Sequence, residues 1–179
     1  GDSISAGLHL AAEQAFPALL KRRFASSKLA FELVNAGVSG DTTAGGLRRV
    51  DWLLKQSPRA VVVELGANDG MRGVPVANIE ANLREIVSKL QAADAKVLLL
   101  GMRIPPSYGT DYAADFAAIY PRVAKDLHVD LVPFFMDGVA GRPELNLSDG
   151  IHPTPEGHEK LASNVAEPLR ALLAQLPTQ

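Results

Sequence analysis

The sequence predicts an α/β protein built on a parallel sheet with helices over both faces. Three observations carry that prediction. Short β-branched runs alternate with longer stretches of helical apolar spacing, the best runs are apolar almost without interruption, and turn residues follow them. A sheet with one wet face reads as apolar and polar residues in alternation, whereas a continuous apolar run is what a strand buried on both faces requires.

In chain order, the first strand candidate is 31–34, Phe-Glu-Leu-Val, ending at Asn35-Ala36-Gly37. The run 59–65, Arg-Ala-Val-Val-Val-Glu-Leu, is better because it is longer and nearly all apolar. Residues 96–100, Lys-Val-Leu-Leu-Leu, form another, and 129–134 the last. Helical spacing occupies 17–26, 43–55, 76–93, 112–127 and 155–176. Trp52, Leu53 and Leu54, and Ile79, Leu83, Ile86, Val87 and Leu90, read as core faces of two of these helices. Thr154 before Pro155 reads as an N-cap with proline at the first helical position.

With 179 residues, 47% hydrophobic and 21% charged, the chain has the size of one globular domain, 1–179, and can bury a core. A formal charge of −2, with both signs interspersed, gives no electrostatic case for binding nucleic acid or an anionic membrane. A small neutral substrate and a monomeric protein are expected. The absence of cysteine excludes a disulfide, a thiolate metal site and a cysteine nucleophile. No apolar run reaches membrane-spanning length, so no stable membrane insertion is expected, and a start at Gly1 leaves no signal peptide in the sequence.

The residues that carry chemistry stand where strands give way to helices, the end of a parallel sheet at which ligands bind. Ser3 lies in Gly1-Asp2-Ser3-Ile4-Ser5, Gly40 in Ser39-Gly40-Asp41, Asn68 in Gly66-Ala67-Asn68-Asp69, and Asp149 and His152 in Asp-Gly-Ile-His-Pro. A serine hydroxyl is a poor nucleophile near neutrality and needs a base. His152 is the best placed by this topology, and Asp149, three residues earlier on one turn, would orient its ring. His9 lies too close to Ser3 in the chain, while His128 and His158 read as surface or helix-terminal residues. Asp2, Asp41 and Asp69 read as turn or cap acceptors rather than metal ligands. Each block alone is ordinary turn sequence; the four together, with Gly40 and Asn68 after strand candidates and Asp149 and His152 on the long loop before the final helix, are not.

In that order the blocks resemble the signature blocks of the SGNH (GDSL-type) hydrolases, and the resemblance runs end to end. Gly-Val-Ser-Gly-Asp-Thr-Thr at 37–43 and Leu-Gly-Ala-Asn-Asp-Gly-Met-Arg-Gly at 65–73 are most similar to the bacterial thioesterase/arylesterase/lysophospholipase branch. The resemblance implies a three-layer α/β/α, flavodoxin-like domain. It also implies a first strand before Ser3, in the middle of the sheet, so a longer gene product with an apolar strand upstream of Gly1 is expected. It implies an oxyanion hole made by the Ser3 N–H, the Gly40 N–H and the Asn68 carboxamide, no metal and no cofactor, and a periplasmic or secreted protein.

The implied activity is hydrolysis of small acyl, aryl or lysophospholipid esters or thioesters through an acyl-enzyme. Met71, Val74, Ile104, Pro105 and Tyr108, on loops rich in glycine and proline, are expected to offer an apolar wall to the acyl or aryl group. The first of these loops is mobile in related enzymes, as the resemblance has it. Two other readings are a polysaccharide O-acetyl esterase, for which an aromatic content of 6% gives little support, and a non-catalytic lipid-binding module. The latter would be expected to have lost Ser3, Asn68 or His152, and all three are present.

Overall fold

A computed structural model describes residues 1–25, 27, 29 and 31–176. The chain forms two compact units, one of residues 1–39 with 135–179 and one of 40–134. Position 26, the expected end of a helix, lies outside the described residues.

The second unit holds the sheet. Its strands are β1 (Ala60–Val63), β2 (Lys96–Leu100) and β3 (Asp130–Val132), all parallel and in the order β1-β2-β3. The register pairs Val61 with Val97 and Leu99 with Leu131. The helices here are α3 (Thr43–Leu54), α4 (Ala67–Met71), α5 (Val76–Ala92) and α6 (Thr110–Leu127). The central strand β2 is the most apolar, and Val97 through Leu100 are all buried. In β1 only Val63 is buried, because β1 is an outer strand of these three. On α5, Ile79, Leu83, Ile86, Val87 and Leu90 recur every three or four residues and are all buried, as that period requires.

The first unit contains α1 (Ser3–Ala6), α2 (Phe16–Phe24) and α7 (Pro155–Ala174). Thr154 caps α7 by accepting the Gly157 N–H at 3.2 Å, and Pro155 occupies the first turn, where its missing N–H costs no bond. Leu161, Val165, Leu169 and Leu172 make one buried stripe of α7, and Phe16, Leu19, Leu20 and Phe24 make one of α2. These stripes pack α2 against α7, each buried Leu or Phe contributing roughly 1.5–3 kcal/mol relative to exposure.

Two expectations are corrected. Residues 31–34 are not a strand: no strand among the described residues pairs with them, and Val34 is 63% exposed. Strands exist by their ladder bonds, and here the backbone just beyond is held otherwise, Asn35 Nδ2 donating to the Ser5 carbonyl and Val38 N–H to that of Gly1. Trp52 is no core residue: it is 62% exposed, because the buried stripe of α3 runs through Thr43, Gly46 and Val50.

Candidate active site

Ser3 is the first residue of α1. The Asp2 carboxylate caps that helix by accepting the Ile4 N–H at 2.9 Å, which fixes the backbone from which the Ser3 side chain projects. In the same unit a tight loop carries the other two groups. Asn146 and Pro153 bridge its ends, the Leu147 N–H donates to the His152 carbonyl at 2.7 Å, and the Asn146 carboxamide donates to the Val139 and Arg142 carbonyls.

Asp149 works at both oxygens. Its Oδ1 accepts the backbone N–H groups of Ile151 and His152, each at 2.9 Å, and its Oδ2 lies 2.6 Å from His152 Nδ1. The His152 backbone N–H, then the imidazole and the Ile151 N–H, hold the Asp149 carboxyl well below the usual carboxylate range. An ionised carboxylate only accepts hydrogen bonds, so Nδ1 carries a proton, and in the neutral imidazole Nε2 then presents a lone pair. That lone pair faces Ser3 Oγ at 2.9 Å, across 149 positions of sequence. The three predicted residues are thus in series, with the serine hydroxyl donating into the imidazole.

The remaining histidines differ from expectation in one case. His128 ends α6 in a left-handed conformation, and His9 is exposed with its ring edge-on to that of His152, centroids 6.1 Å apart. His158, expected at the surface, is 1% exposed: its position on α7 turns it toward α2, where Nδ1 accepts the Phe16 N–H at 3.0 Å. Burial, with the charge of His152 adding, pushes this imidazole down to about 4.

Gly40 and Asn68 lie in the second unit, as do Met71, Val74, Ile104, Pro105 and Tyr108. Gly66 opens α4 at φ +118°, where a Cβ would collide with the Tyr120 hydroxyl, itself bonded to the Leu65 carbonyl at 3.0 Å. That close turn sends Asn68 toward the 40–43 turn, and its Nδ2 donates to the Asp41 carbonyl at 2.9 Å. Asp69, 1% exposed, accepts the Thr43 N–H at 2.8 Å and the Thr43 hydroxyl at 2.7 Å. Asp41 accepts the Thr42 N–H and pairs with Arg49 at 2.7 Å, so Asp2 and Asp41 accept from neighbouring N–H groups and Asp69 from one 26 positions away. Met71 and Val74 are half-buried, Pro105 and Tyr108 exposed, and Ile104 buried at 7% exposure. Two contacts on the 70–75 loop were not foreseen: Arg72 Nη2 donates to the Gly40 carbonyl at 3.2 Å, and the Tyr112 hydroxyl to that of Val74 at 2.7 Å. The only sequence signal for the first was a cation four residues after Asn68, one helical turn on.

A hydroxyl, an imidazole and a carboxylate in series are the working parts of a serine hydrolase. The chain belongs to the GDSL-like Lipase/Acylhydrolase family, whose model matches residues 1–160, and it is a carboxylic ester hydrolase. It is 45% identical over 174 residues to Esterase TesA of Pseudomonas aeruginosa, covering 97% of this chain and 87% of that one. It is 44% identical over 174 residues to Thioesterase 1/protease 1/lysophospholipase L1 of Escherichia coli K12, covering 97% and 82%. Among solved structures, that of TesA superposes with a TM-score of 0.93 at 45% identity, covering 96% of each chain. The psychrotrophic esterase EstA from Pseudoalteromonas sp. superposes at 0.92 with 36% identity, covering 98% of this chain and 96% of that one.

Proposed function

We propose that this chain hydrolyses small acyl, aryl or lysophospholipid esters and thioesters by two-step acyl transfer from Ser3. The observation that carries the reading is the hydrogen-bonded series from Ser3 Oγ through His152 to Asp149. As Ser3 Oγ bonds to the carbonyl carbon, its proton passes to His152 Nε2, and Asp149 steadies the imidazolium across Nδ1. His152 then gives that proton to the departing alkoxide or thiolate. A water molecule then attacks the acyl-serine, losing a proton to the same nitrogen; the bond from the acyl carbon to Ser3 Oγ breaks, His152 returns that proton to Ser3 Oγ, and the acid leaves.

The Ser3 N–H, the Gly40 N–H and the Asn68 carboxamide serve as donors to the oxyanion, as the family resemblance implies. Met71, Val74, Ile104, Pro105 and Tyr108 meet the acyl or aryl group. The names of the relatives, esterase and thioesterase/lysophospholipase, favour this range of substrates. No helix among the described residues is long and apolar enough to cross a membrane.

The test is hydrolysis of p-nitrophenyl esters from acetate through decanoate, with the corresponding acyl thioesters beside them. Turnover is expected in the parent and below about one part in 10⁴ of it in Ser3→Ala. No turnover of any ester would leave the non-catalytic binding module as the better reading.

A further inference from the structure

Gly40 is exposed and sits at φ +78°, a left-handed conformation that glycine enters without steric cost. A Cβ built there would meet only one neighbour within 4 Å, the Arg72 Nη2 at 3.8 Å. The side of Gly40 where a side chain would stand is thus open apart from that guanidinium. Hydrogen bonds from the 68–72 turn hold this segment, and their partners step back along the chain from Thr43 through Asp41 to Gly40. Asp69 holds Thr43, Asn68 holds the Asp41 carbonyl, and Arg72 Nη2 reaches the Gly40 carbonyl itself at 3.2 Å. The first two fix residues 41 and 43, on the C-terminal side of Gly40; the third acts on the residue whose N–H is to meet the oxyanion.

We infer that Arg72 is a positioning residue for acyl transfer: by holding the Gly40 carbonyl it fixes the 40–41 peptide, the neighbour across Cα of the 39–40 peptide that carries the Gly40 N–H, and so limits how far that N–H can turn from the direction the transition state needs. The inference rests on the proposed role of Gly40 as an oxyanion donor. The guanidinium acts through the Gly40 carbonyl, to which it donates at 3.2 Å. Its effect belongs to the transition state, because an oxyanion donor is worth most where charge develops and a misplaced one forfeits that. A planar guanidinium suits the task, since its remaining N–H groups stay hydrated while one is spent on the carbonyl.

The experiment is steady-state kinetics on p-nitrophenyl butyrate for the parent, Arg72→Ala, Arg72→Lys and Asn68→Ala. Arg72→Ala is expected to lower kcat by about ten- to hundredfold with KM changed by less than about twofold. Arg72→Lys, or N-ethylguanidinium added to Arg72→Ala, is expected to restore part of kcat. A kcat unchanged in Arg72→Ala, a rise in KM alone, or a loss that neither lysine nor guanidinium relieves would overturn the positioning role. Asn68→Ala separates the two levels of the argument: if it is slow while Arg72→Ala is not, only the Arg72 inference fails, and if it is as fast as the parent, the oxyanion reading beneath it fails. Should Arg72→Ala not fold, Arg72→Gln, with a shorter amide donor, is read by the same criteria.

Discussion

At the scale of single residues, the proposed chemistry turns on which nitrogen of His152 carries the proton. Asp149 decides this, because a carboxylate can only accept from Nδ1. Asp149→Asn keeps the shape and the acceptor for the Ile151 and His152 N–H groups, but it turns an N–H toward Nδ1 and moves the ring proton to Nε2, where it faces Ser3. We expect kcat to fall by about 10³- to 10⁴-fold while the unfolding midpoint changes little, as measured by stopped assays and urea titration on the same preparation. The pH profile comes from the same contact. Asp149 has its carboxyl depressed, so its contribution to stability is present above the ordinary carboxylate range and is lost only as pH falls through the depressed value. It therefore stays ionised well below the ordinary carboxylate range, and a histidine base predicts that kcat/KM falls on acidification. A rate flat from about pH 4 to 8 would exclude a histidine base. Asn68→Ala belongs at this scale too, with an expected loss of roughly 10²–10³ in kcat and unchanged folding.

Among the elements, α7 joins the site to the core. It starts three residues after His152, and one turn into it His158 takes the Phe16 N–H at the start of α2. The buried imidazole is neutral in the folded state and titrates near 6.5 in the unfolded chain. Between pH 6.5 and about 4 the unfolded state binds a proton that the folded state does not, so stability falls as pH falls through that window and levels off below it. The full effect is on the order of 3 kcal/mol. His158→Gln, an acceptor that cannot be charged, should flatten the change in urea midpoint across that window; an undiminished slope would assign the pH dependence to other groups. This contact was not legible in the sequence. Nothing local distinguishes a histidine on the wet face of a helix from one turned toward a neighbour 142 residues away. The five apolar positions of α5 were legible because their spacing alone selects one face. Trp52 shows the limit of that reasoning, since three apolar residues in a row at 52–54 cannot all share a side of α3.

For the molecule as a whole, a formal charge of −2 spread over mixed signs leaves little long-range field to steer a substrate. For neutral p-nitrophenyl esters, kcat/KM should change less than about twofold between low and physiological salt, whereas a strongly charged cleft would show a steep dependence. The amino-acid sequence by itself determined the strands from 59 onward, the long helices, the cap of α7 and the choice of Ser3, Asp149 and His152 as candidates, because each depends on local periodicity, turn chemistry or residue type. It did not determine the fate of 31–34, since a strand exists only through a partner that four residues cannot specify. Tertiary structure alone decided that Ser3 Oγ stands 2.9 Å from an imidazole 149 residues away, that His158 is buried, and that Arg72 closes on Gly40. Each of these depends on where a side chain arrives after distant segments have packed, and no local pattern encodes an arrival.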